Sequence, residues 1–329
     1  MKNGLLLWIL LSLVVFACAE EEGSNENGDE NGNEQVSFLP MKEGKIQSCT
    51  EGIDIAYQVW RYDGTAEATL LYINGRTEYT DKYHHLVTMF NKPYDIIMYD
   101  HFGQGRSGGT RAHADDFDAQ HVCDLKRIVD ELASESLPIA MVAHSMGGFV
   151  ATRFAELYPD AARVYALSSP MYGIPVPDGM TVEDVKNMAS SMVTNGNGEA
   201  SIAGDTSAEI PTCEENNLTH DCEMYDKFKD DPIMQIGEPT WGWVNAAIQG
   251  FESLFADVGK IDKPFLIMQA GQEEIVIPEK HQEFCALLGE ELCTIKVFEN
   301  DYHELFFETD RDSVVQATVE FIEQQLAGD

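Results

Sequence analysis

Short, continuous apolar runs alternate with helical patterns through most of this chain, and this order constrains the fold more than any other feature. The runs predict strands at 69–73, 95–99, 138–143, 163–167, 264–269 and 293–298. Helical patterns lie between or after these runs, at 80–90, 117–133, 147–157, 278–288 and 311–326. Because strands without polar alternation are buried on both faces, the order predicts a mostly parallel sheet with helices on both faces.

Two further segments complete the predicted α/β architecture. Alternating residues at 45–49 and 53–61 predict an opening antiparallel hairpin, which brings the sheet to eight strands. The alternation then stops between Ser169 and Asp262, where the patterns at 182–192 and 243–255 are helical. An insertion at the carboxyl end of a central strand overlies the crevice where open α/β sheets bind ligands. We therefore predict a core at 37–170 and 262–329, and a helical cap subdomain at 171–261.

The first 36 residues predict export. Lys2 precedes an apolar run at 5–16, which has the length of a signal-peptide core and is too short to span a bilayer comfortably. The run ends in a sequence that resembles a bacterial lipobox, so we predict a signal peptide at 1–17 and lipid attachment at Cys18. Ordinary cleavage near Ala19 is the alternative. An acidic, flexible linker at 18–36 would then hold the folded part near a membrane of the bacterial cell envelope, on its periplasmic or cell-surface side.

The acidic composition limits the partners. The net charge is −36, from 57 acidic and 21 basic residues. Nucleic acid is excluded as a partner, since binding it requires basic side chains that neutralise phosphates. No cofactor or metal is expected, because neither a CxxC motif nor a Cys/His grouping is present. The sequence leaves the oligomeric state open.

Six cysteines follow Cys18, and an oxidising compartment favours disulfides among them. Six thiols permit fifteen connectivities, so the sequence alone does not choose one. Cys213 with Cys222 and Cys285 with Cys293 are the preferred pairs, since each would close a short loop. Cys123 lies in a helical pattern and is equally well explained as a small buried hydrophobe.

The segment at 138–150 predicts a nucleophile on a sharp turn. It reads PIAMVAHSMGGFV, an apolar strand that runs through Ser145 directly into a helical pattern. Such a strand–turn–helix needs small residues two positions before and two after the serine, and Ala143 and Gly147 meet that need. Ser145 is therefore the candidate nucleophile of an α/β-hydrolase fold.

A serine hydroxyl needs a base to accept its proton and a carboxylate to orient that base. In this fold the chain order is serine, acid, histidine. Glu273 and Glu274 follow the strand at 264–269, and His303 follows the next strand. His303 is the predicted base. Glu273 is the preferred acid because it precedes the apolar residues 275 and 276, and Glu274 is the runner-up.

The charge that develops on a substrate oxygen needs preorganised donors, in most hydrolases two backbone N–H groups. Met146 follows the nucleophile at a helix start and should supply one. The loop after the strand at 69–73 should supply the other, and Arg76 is the candidate. Its side chain is more simply explained by a salt bridge or by solvation.

Two other groups of residues stand out. Trp241, Trp243 and Tyr172 are candidate substrate contacts, although aromatic residues in the predicted cap could equally form its own core. The glycine-rich segment at 100–109 superficially suggests a phosphate-binding loop. It lacks the lysine and the spacing of a P-loop, so a tight structural turn is the better interpretation.

Several segments together resemble bacterial lysophospholipases related to monoacylglycerol lipases. They read INGRTEY at 73, DHFGQGRSGG at 100, AHSMGG at 143, SSPMYGI at 168 and GEPTWGWV at 237. In that family the loop acid and a YHE histidine occupy the positions of Glu273 and of residues 302–304. Relatives commonly carry Asp where this chain has Glu. The resemblance implies a serine hydrolase that cleaves carboxylic esters of lipids, either lysophospholipid or monoacylglycerol, through an acyl-enzyme.

Other functions remain open on the same residues. A short-chain esterase, an aminopeptidase or an amidase would use the same catalytic centre. A further alternative is a surface lipoprotein that uses a catalytically inactive hydrolase fold for binding. The retained serine and histidine argue against this alternative.

Overall fold

An eight-stranded sheet in the order β1-β2-β4-β3-β5-β6-β7-β8 forms the centre of the molecule. The computed structural model describes residues 35–204 and 210–328, so the predicted signal peptide, Cys18 and nearly all of the predicted linker lie outside the described residues. The strands are β1 Lys42–Gln47, β2 Asp54–Trp60, β3 Ala68–Ile73, β4 Tyr94–Tyr99, β5 Ile139–His144, β6 Val164–Ser168, β7 Phe265–Ala270 and β8 Cys293–Phe298. The pairs β1–β2 and β2–β4 are antiparallel and all the others are parallel. The predicted sheet, including its opening hairpin, is confirmed.

Eight α-helices accompany the sheet in the described part of the chain. They are α1 His84–Met89, α2 Cys123–Leu132, α3 Met146–Leu157, α4 Val182–Thr194, α5 Cys222–Phe228, α6 Trp241–Asp257, α7 Glu279–Leu288 and α8 Arg311–Leu326. Alternate residues of β3 enter two different cores, since Leu71 and Ile73 belong to one and Leu70 and Tyr72 to the other. This arrangement explains the unbroken apolar runs, because both faces of the central strands are covered.

Local structure departs from the sequence patterns at three places. The segment predicted as one helix at 80–90 begins with a 3-10 turn, Thr80–Tyr83, before α1. A π-helical turn, Asp118–Val122, precedes α2. The sequence did not predict α5, which has only seven residues and depends on its surroundings: Asp221 caps its first turn and a disulfide holds its first residue.

Helices α4, α5 and α6 all lie between β6 and β7, the segment predicted as the cap. Thr181 forms a capping box at the start of α4, and Thr240 caps α6 through the backbone N–H of Trp243. Phe251 of α6 packs against Phe149 of α3, with ring centroids 5.1 Å apart. This contact holds α6 against α3, the helix that follows Ser145.

Three disulfides link the six cysteines of the described residues. Cys213–Cys222 and Cys285–Cys293 are the two pairs preferred from the sequence. Cys49 pairs with Cys123 across 74 residues of sequence, which joins the turn between β1 and β2 to the first residue of α2. None of the helices in the described residues is long and apolar enough to cross a membrane.

Candidate active site

Ser145 lies on a strained turn between β5 and α3. Its φ of 51° and ψ of −117° lie in a region that residues other than glycine rarely adopt. A Cβ atom at Gly147 would lie 2.3 Å from the carbonyl oxygen of Ile73, so only glycine fits there. The Ser145 N–H donates to the Ser168 carbonyl oxygen at 2.9 Å, and the Met171 N–H donates to the Ser145 carbonyl oxygen at 2.9 Å. The last residue of β6 and the loop that follows β6 therefore both hold the turn.

Glu273 and His303 meet although 30 residues separate them. His303 Nδ1 lies 2.8 Å from Glu273 Oε2 and 3.0 Å from Oε1. The Glu273 carboxylate also accepts the N–H groups of Ile275 and Val276, at 2.8 and 3.1 Å. Burial would raise the pKa of Glu273, but the hydrogen bond and charge of His303 outweigh it and lower that pKa to about 2. Glu273 is thus an ionised acceptor that leaves Nε2 as the free nitrogen of His303.

The His303 ring packs against the ring of His144. The two imidazole rings lie 4.7 Å apart between centroids, and His144 directly precedes Ser145. His144 Nδ1 lies 3.3 Å from Ser168 Oγ. Burial lowers the pKa of His144 to about 3, so it packs against His303 as a neutral ring.

Glu274, the runner-up acid, lies away from this group. It is exposed, and its Oε2 accepts from Asn217 Nδ2 at 3.4 Å. The backbone turns between the two glutamates, so only Glu273 reaches His303. Of the two candidates, the structure joins Glu273 to the histidine.

The loop after β3 lies against the serine. A Cβ atom at Gly75 would lie 3.2 Å from Ser145 Cβ, which places the next residue, Arg76, beside the nucleophile. Met146 is the first residue of α3, so its N–H has no partner within the helix. The two predicted backbone donors therefore flank Ser145.

Two side chains that the sequence did not point out hold this loop. Gln104 donates to the Gly75 carbonyl oxygen at 3.1 Å and accepts from the Thr77 N–H at 2.6 Å. Glu78 accepts the Gly75 N–H at 2.6 Å. Thr77 has a φ of 64°, and the hydrogen bond that its N–H donates to Gln104 stabilises that conformation. Gln104 belongs to the glycine-rich segment at 100–109, which acts here as a structural turn, as expected.

A buried ionic network connects the same loop to the histidine loop. Lys82 Nζ lies 2.6 Å from Glu78 Oε1 and 2.7 Å from Glu304 Oε1, and all three side chains are buried. The Tyr83 hydroxyl adds a hydrogen bond of 2.7 Å to Glu78. Burial would raise the pKa of Glu78, but Lys82 outweighs it and lowers that pKa to about 2. Glu304 adjoins His303, so one lysine links the two loops that flank Ser145.

An apolar cavity of about 560 Å³ is lined mainly by residues between β6 and β7. Tyr172 and Trp241, two of the three predicted substrate contacts, line it together with Phe251. Trp243 lies elsewhere, beside Arg76 and Met146 at a cavity of about 10 Å³. Tyr172 follows Met171, whose N–H donates to the Ser145 carbonyl oxygen, whereas neither Ser145 nor His303 lines the apolar cavity.

The sheet order, the strained serine between strand and helix, and the acid–histidine pair on the two following loops define an α/β-hydrolase. The Hydrolase_4 family model, described as serine aminopeptidase S33, matches residues 64–310, and this chain belongs to that family.

The comparisons with individual proteins agree with the family. Lysophospholipase L2 of Escherichia coli is 33% identical over 270 residues, which cover 75% of this chain and 78% of that protein. A monoacylglycerol lipase of Mycolicibacterium smegmatis is 25% identical over 281 residues, covering 84% of this chain and 95% of that protein. The crystal structure of a Bacillus coagulans carboxyl esterase superposes with a TM-score of 0.72 at 17% identity, over 88% of this chain and 99% of that one. The fold and the resemblance inferred from the sequence are confirmed, as is the enzyme class, a carboxylic ester hydrolase.

Proposed function

We propose that this protein hydrolyses lipid esters that carry one acyl chain, either lysophospholipid or monoacylglycerol, with Ser145 as nucleophile, His303 as base and Glu273 as the orienting acid. The observation that carries the proposal is the hydrogen-bonded Glu273–His303 pair, whose histidine packs against the residue before the strained Ser145. An apolar cavity of about 560 Å³, lined in part by Tyr172, supports it. A cavity of that size suits an acyl chain, since ligand pockets range over about 300–1,000 Å³.

The first half of the reaction forms an acyl-enzyme. Ser145 Oγ attacks the ester carbonyl carbon while its proton passes to Nε2 of His303. The carbonyl oxygen becomes an oxyanion, which the backbone N–H groups of Met146 and Arg76 stabilise. The carbon–oxygen bond to the alcohol then breaks, and His303 returns the proton to the departing alkoxide. Glu273 stabilises the imidazolium that exists between the two transfers.

The second half releases the fatty acid. His303 takes a proton from a water molecule as that water attacks the acyl-enzyme carbonyl. The bond to Ser145 Oγ breaks, the serine recovers its proton from His303, and the carboxylic acid leaves. Water and the ester are the only reactants, so the step balances without any other co-reactant.

A lipid panel tests the proposal. The purified protein is incubated with lysophosphatidylcholine, monoacylglycerol, a short-chain ester and an aminoacyl arylamide, and released acids are measured by mass spectrometry. We expect release from one or both single-chain lipids, and no measurable turnover by Ser145→Ala at an unchanged far-UV circular dichroism spectrum. Turnover of only the arylamide would favour an aminopeptidase, in line with the description of the family, and would refute the lipid assignment.

We further propose that the protein is exported and anchored through a lipid on Cys18. The support is the sequence alone: Lys2, the apolar run at 5–16 and the acidic segment that follows. Expression in a bacterium grown with labelled palmitate should label the wild-type chain and leave Cys18→Ser unlabelled. Equal labelling of the two chains, or none in either, would exclude this anchor.

A further inference from the structure

The side chain of Arg76 lies between the core and the cap with its hydrogen-bonding capacity only partly used. Its Nη2 donates to the Gly237 carbonyl oxygen at 2.6 Å, and the guanidinium lies 5.5 Å from the centroid of the Trp243 ring. Its Nε is buried and has no partner among the residues that the structure describes. A guanidinium can donate five hydrogen bonds, so this one retains free donors next to the nucleophile loop.

No carboxylate of the described ranges 35–204 and 210–328 lies within ion-pair distance of Arg76; Glu238 acts on it only at longer range. Burial lowers the pKa of Arg76 to about 10, and the charge of Glu238 offsets only part of that effect. Most buried or half-buried cations in proteins are paired, because an unpaired charge away from water is costly. An anion that reached this guanidinium would remove that cost.

Polar side chains also lie near Arg76. The small cavity beside it is lined by Gln104, His113 and His121, and by the apolar residues Phe102, Ala112, Met146, Ile236 and Trp243. His121 is 2% exposed, and neither of its ring nitrogens has a partner among the described residues. At about 10 Å³ the cavity has room for one water molecule at most, so a larger ligand group must replace the Gly237 carbonyl at the guanidinium.

Two unlike regions lie near the Ser145 turn. The cavity lined by Tyr172 and Trp241 is apolar, and Tyr172 follows Met171, whose N–H donates to the Ser145 carbonyl oxygen. The second region contains the guanidinium of Arg76, the residue after Gly75. We take the acyl chain of an ester to fill the first region, which leaves the second for its alcohol part. In a lysophospholipid that alcohol is glycerol with a phosphate diester three carbons from the ester oxygen, whereas in a monoacylglycerol it is uncharged.

We propose that the Arg76 guanidinium binds the phosphate of a lysophospholipid headgroup and so selects lysophospholipid over monoacylglycerol. The inference rests on the proposed function, because it concerns the leaving alcohol of the same reaction. Arg76 then has two separate roles: its backbone N–H stabilises the oxyanion, and its side chain recognises the headgroup. Bidentate binding of a phosphate by arginine supplies both geometry and charge, which a lysine at this position would supply less well.

The test measures the ratio of the kcat/KM values for two substrates. We compare kcat/KM for 1-palmitoyl lysophosphatidylcholine with kcat/KM for 1-palmitoyl glycerol in the wild type, Arg76→Met and Arg76→Lys. The ratio should fall on the order of 10- to 100-fold in Arg76→Met, the loss expected for hydrogen bonds to a charged group, and less in Arg76→Lys. A substitution that damages the oxyanion loop lowers kcat/KM for both substrates, so the ratio reports only the effect on headgroup recognition.

Arg111→Met is the matched control. Arg111 is exposed and also donates to backbone carbonyls, those of Gly103 and Gly105 at 3.2 and 3.0 Å, so its loss should leave the ratio within about twofold of the wild type. An equal fall in both variants would overturn the assignment, as would an unchanged ratio in Arg76→Met.

A measurement on the wild type keeps the proposal testable even when the variants fail to fold. Glycerophosphocholine, the product that retains the phosphate, should inhibit monoacylglycerol hydrolysis at lower concentration than glycerol does. Equal inhibition by the two would overturn phosphate recognition. If the wild type hydrolyses monoacylglycerol but not lysophospholipid, the headgroup inference fails while the proposed function stands; if it hydrolyses neither, the proposed function itself fails.

Discussion

Replacing Lys82 with methionine tests the buried network that links the two catalytic loops. Methionine keeps the volume of the lysine stem and removes the ammonium that lies 2.6 Å from Glu78 and 2.7 Å from Glu304. The two carboxylates are 3% and 8% exposed, so water cannot take the place of the ammonium. The substitution therefore leaves buried acidic groups without their counter-ion.

Removing one partner of a buried ion pair costs about 3–5 kcal/mol. For a chain of this size that loss corresponds to a decrease in Tm of roughly 6–10 °C, at about 2 °C per kcal/mol. The penalty should depend on pH. Without the lysine, the folded state raises the pKa of the carboxyls above their unfolded values, so the folded variant is favoured at low pH and loses stability as pH rises. The deficit should be larger at pH 8 than at pH 5.

Urea unfolding followed by circular dichroism at both pH values measures the effect. Lys126→Met is the matched control, because Lys126 forms an exposed pair with Asp130 at the same four-residue spacing, and such pairs contribute about 0–1 kcal/mol. We expect kcat to fall as well, since Glu78 also accepts the Gly75 N–H beside Ser145. A loss below about 1 kcal/mol at both pH values would show that solvent reaches the carboxylates and would refute the reasoning.

Three further predictions concern the site itself. Glu273→Gln should lower kcat by about 10³–10⁴-fold in the ester assay, as loss of the orienting carboxylate does in other triads, whereas Glu274→Gln should change it less than threefold. Gly147→Ala places a Cβ atom 2.3 Å from the carbonyl oxygen of Ile73, so its urea midpoint should fall and its activity should be lost; a variant with wild-type values would contradict the packing. The folded protein lowers the pKa of Glu273 to about 2, whereas a glutamate in the unfolded chain has a pKa of about 4.3. The ionised Glu273 therefore stabilises the fold above about pH 4.3, and this stabilisation is lost as the pH falls from that value through about 2. The free energy of unfolding of the wild type should fall by roughly 3 kcal/mol over this pH range, and acid unfolding curves of Glu273→Gln should lack that decrease.

The position of the acid shows where local sequence stops being informative. Glu273 and Glu274 are neighbours in one loop, and both satisfy the order of serine, acid and histidine. The choice depends on the direction in which the loop backbone turns, which the N–H groups of Ile275 and Val276 fix by bonding to the Glu273 carboxylate. The two residues after the glutamates therefore orient Glu273 through their backbone N–H groups and not through their apolar side chains.

The sequence by itself determined the sheet, its parallel order and the place of Ser145, because strand burial and the tight turn act through residues that are close along the chain. The apolar runs require burial on both faces, and the small residues at 143 and 147 are required by the turn. Tertiary structure alone decided the ionic network of Lys82 with Glu304, which are 222 residues apart, and the separation of Trp243 from the apolar cavity. Such contacts depend on how distant loops are placed, and no local pattern of residues encodes that placement.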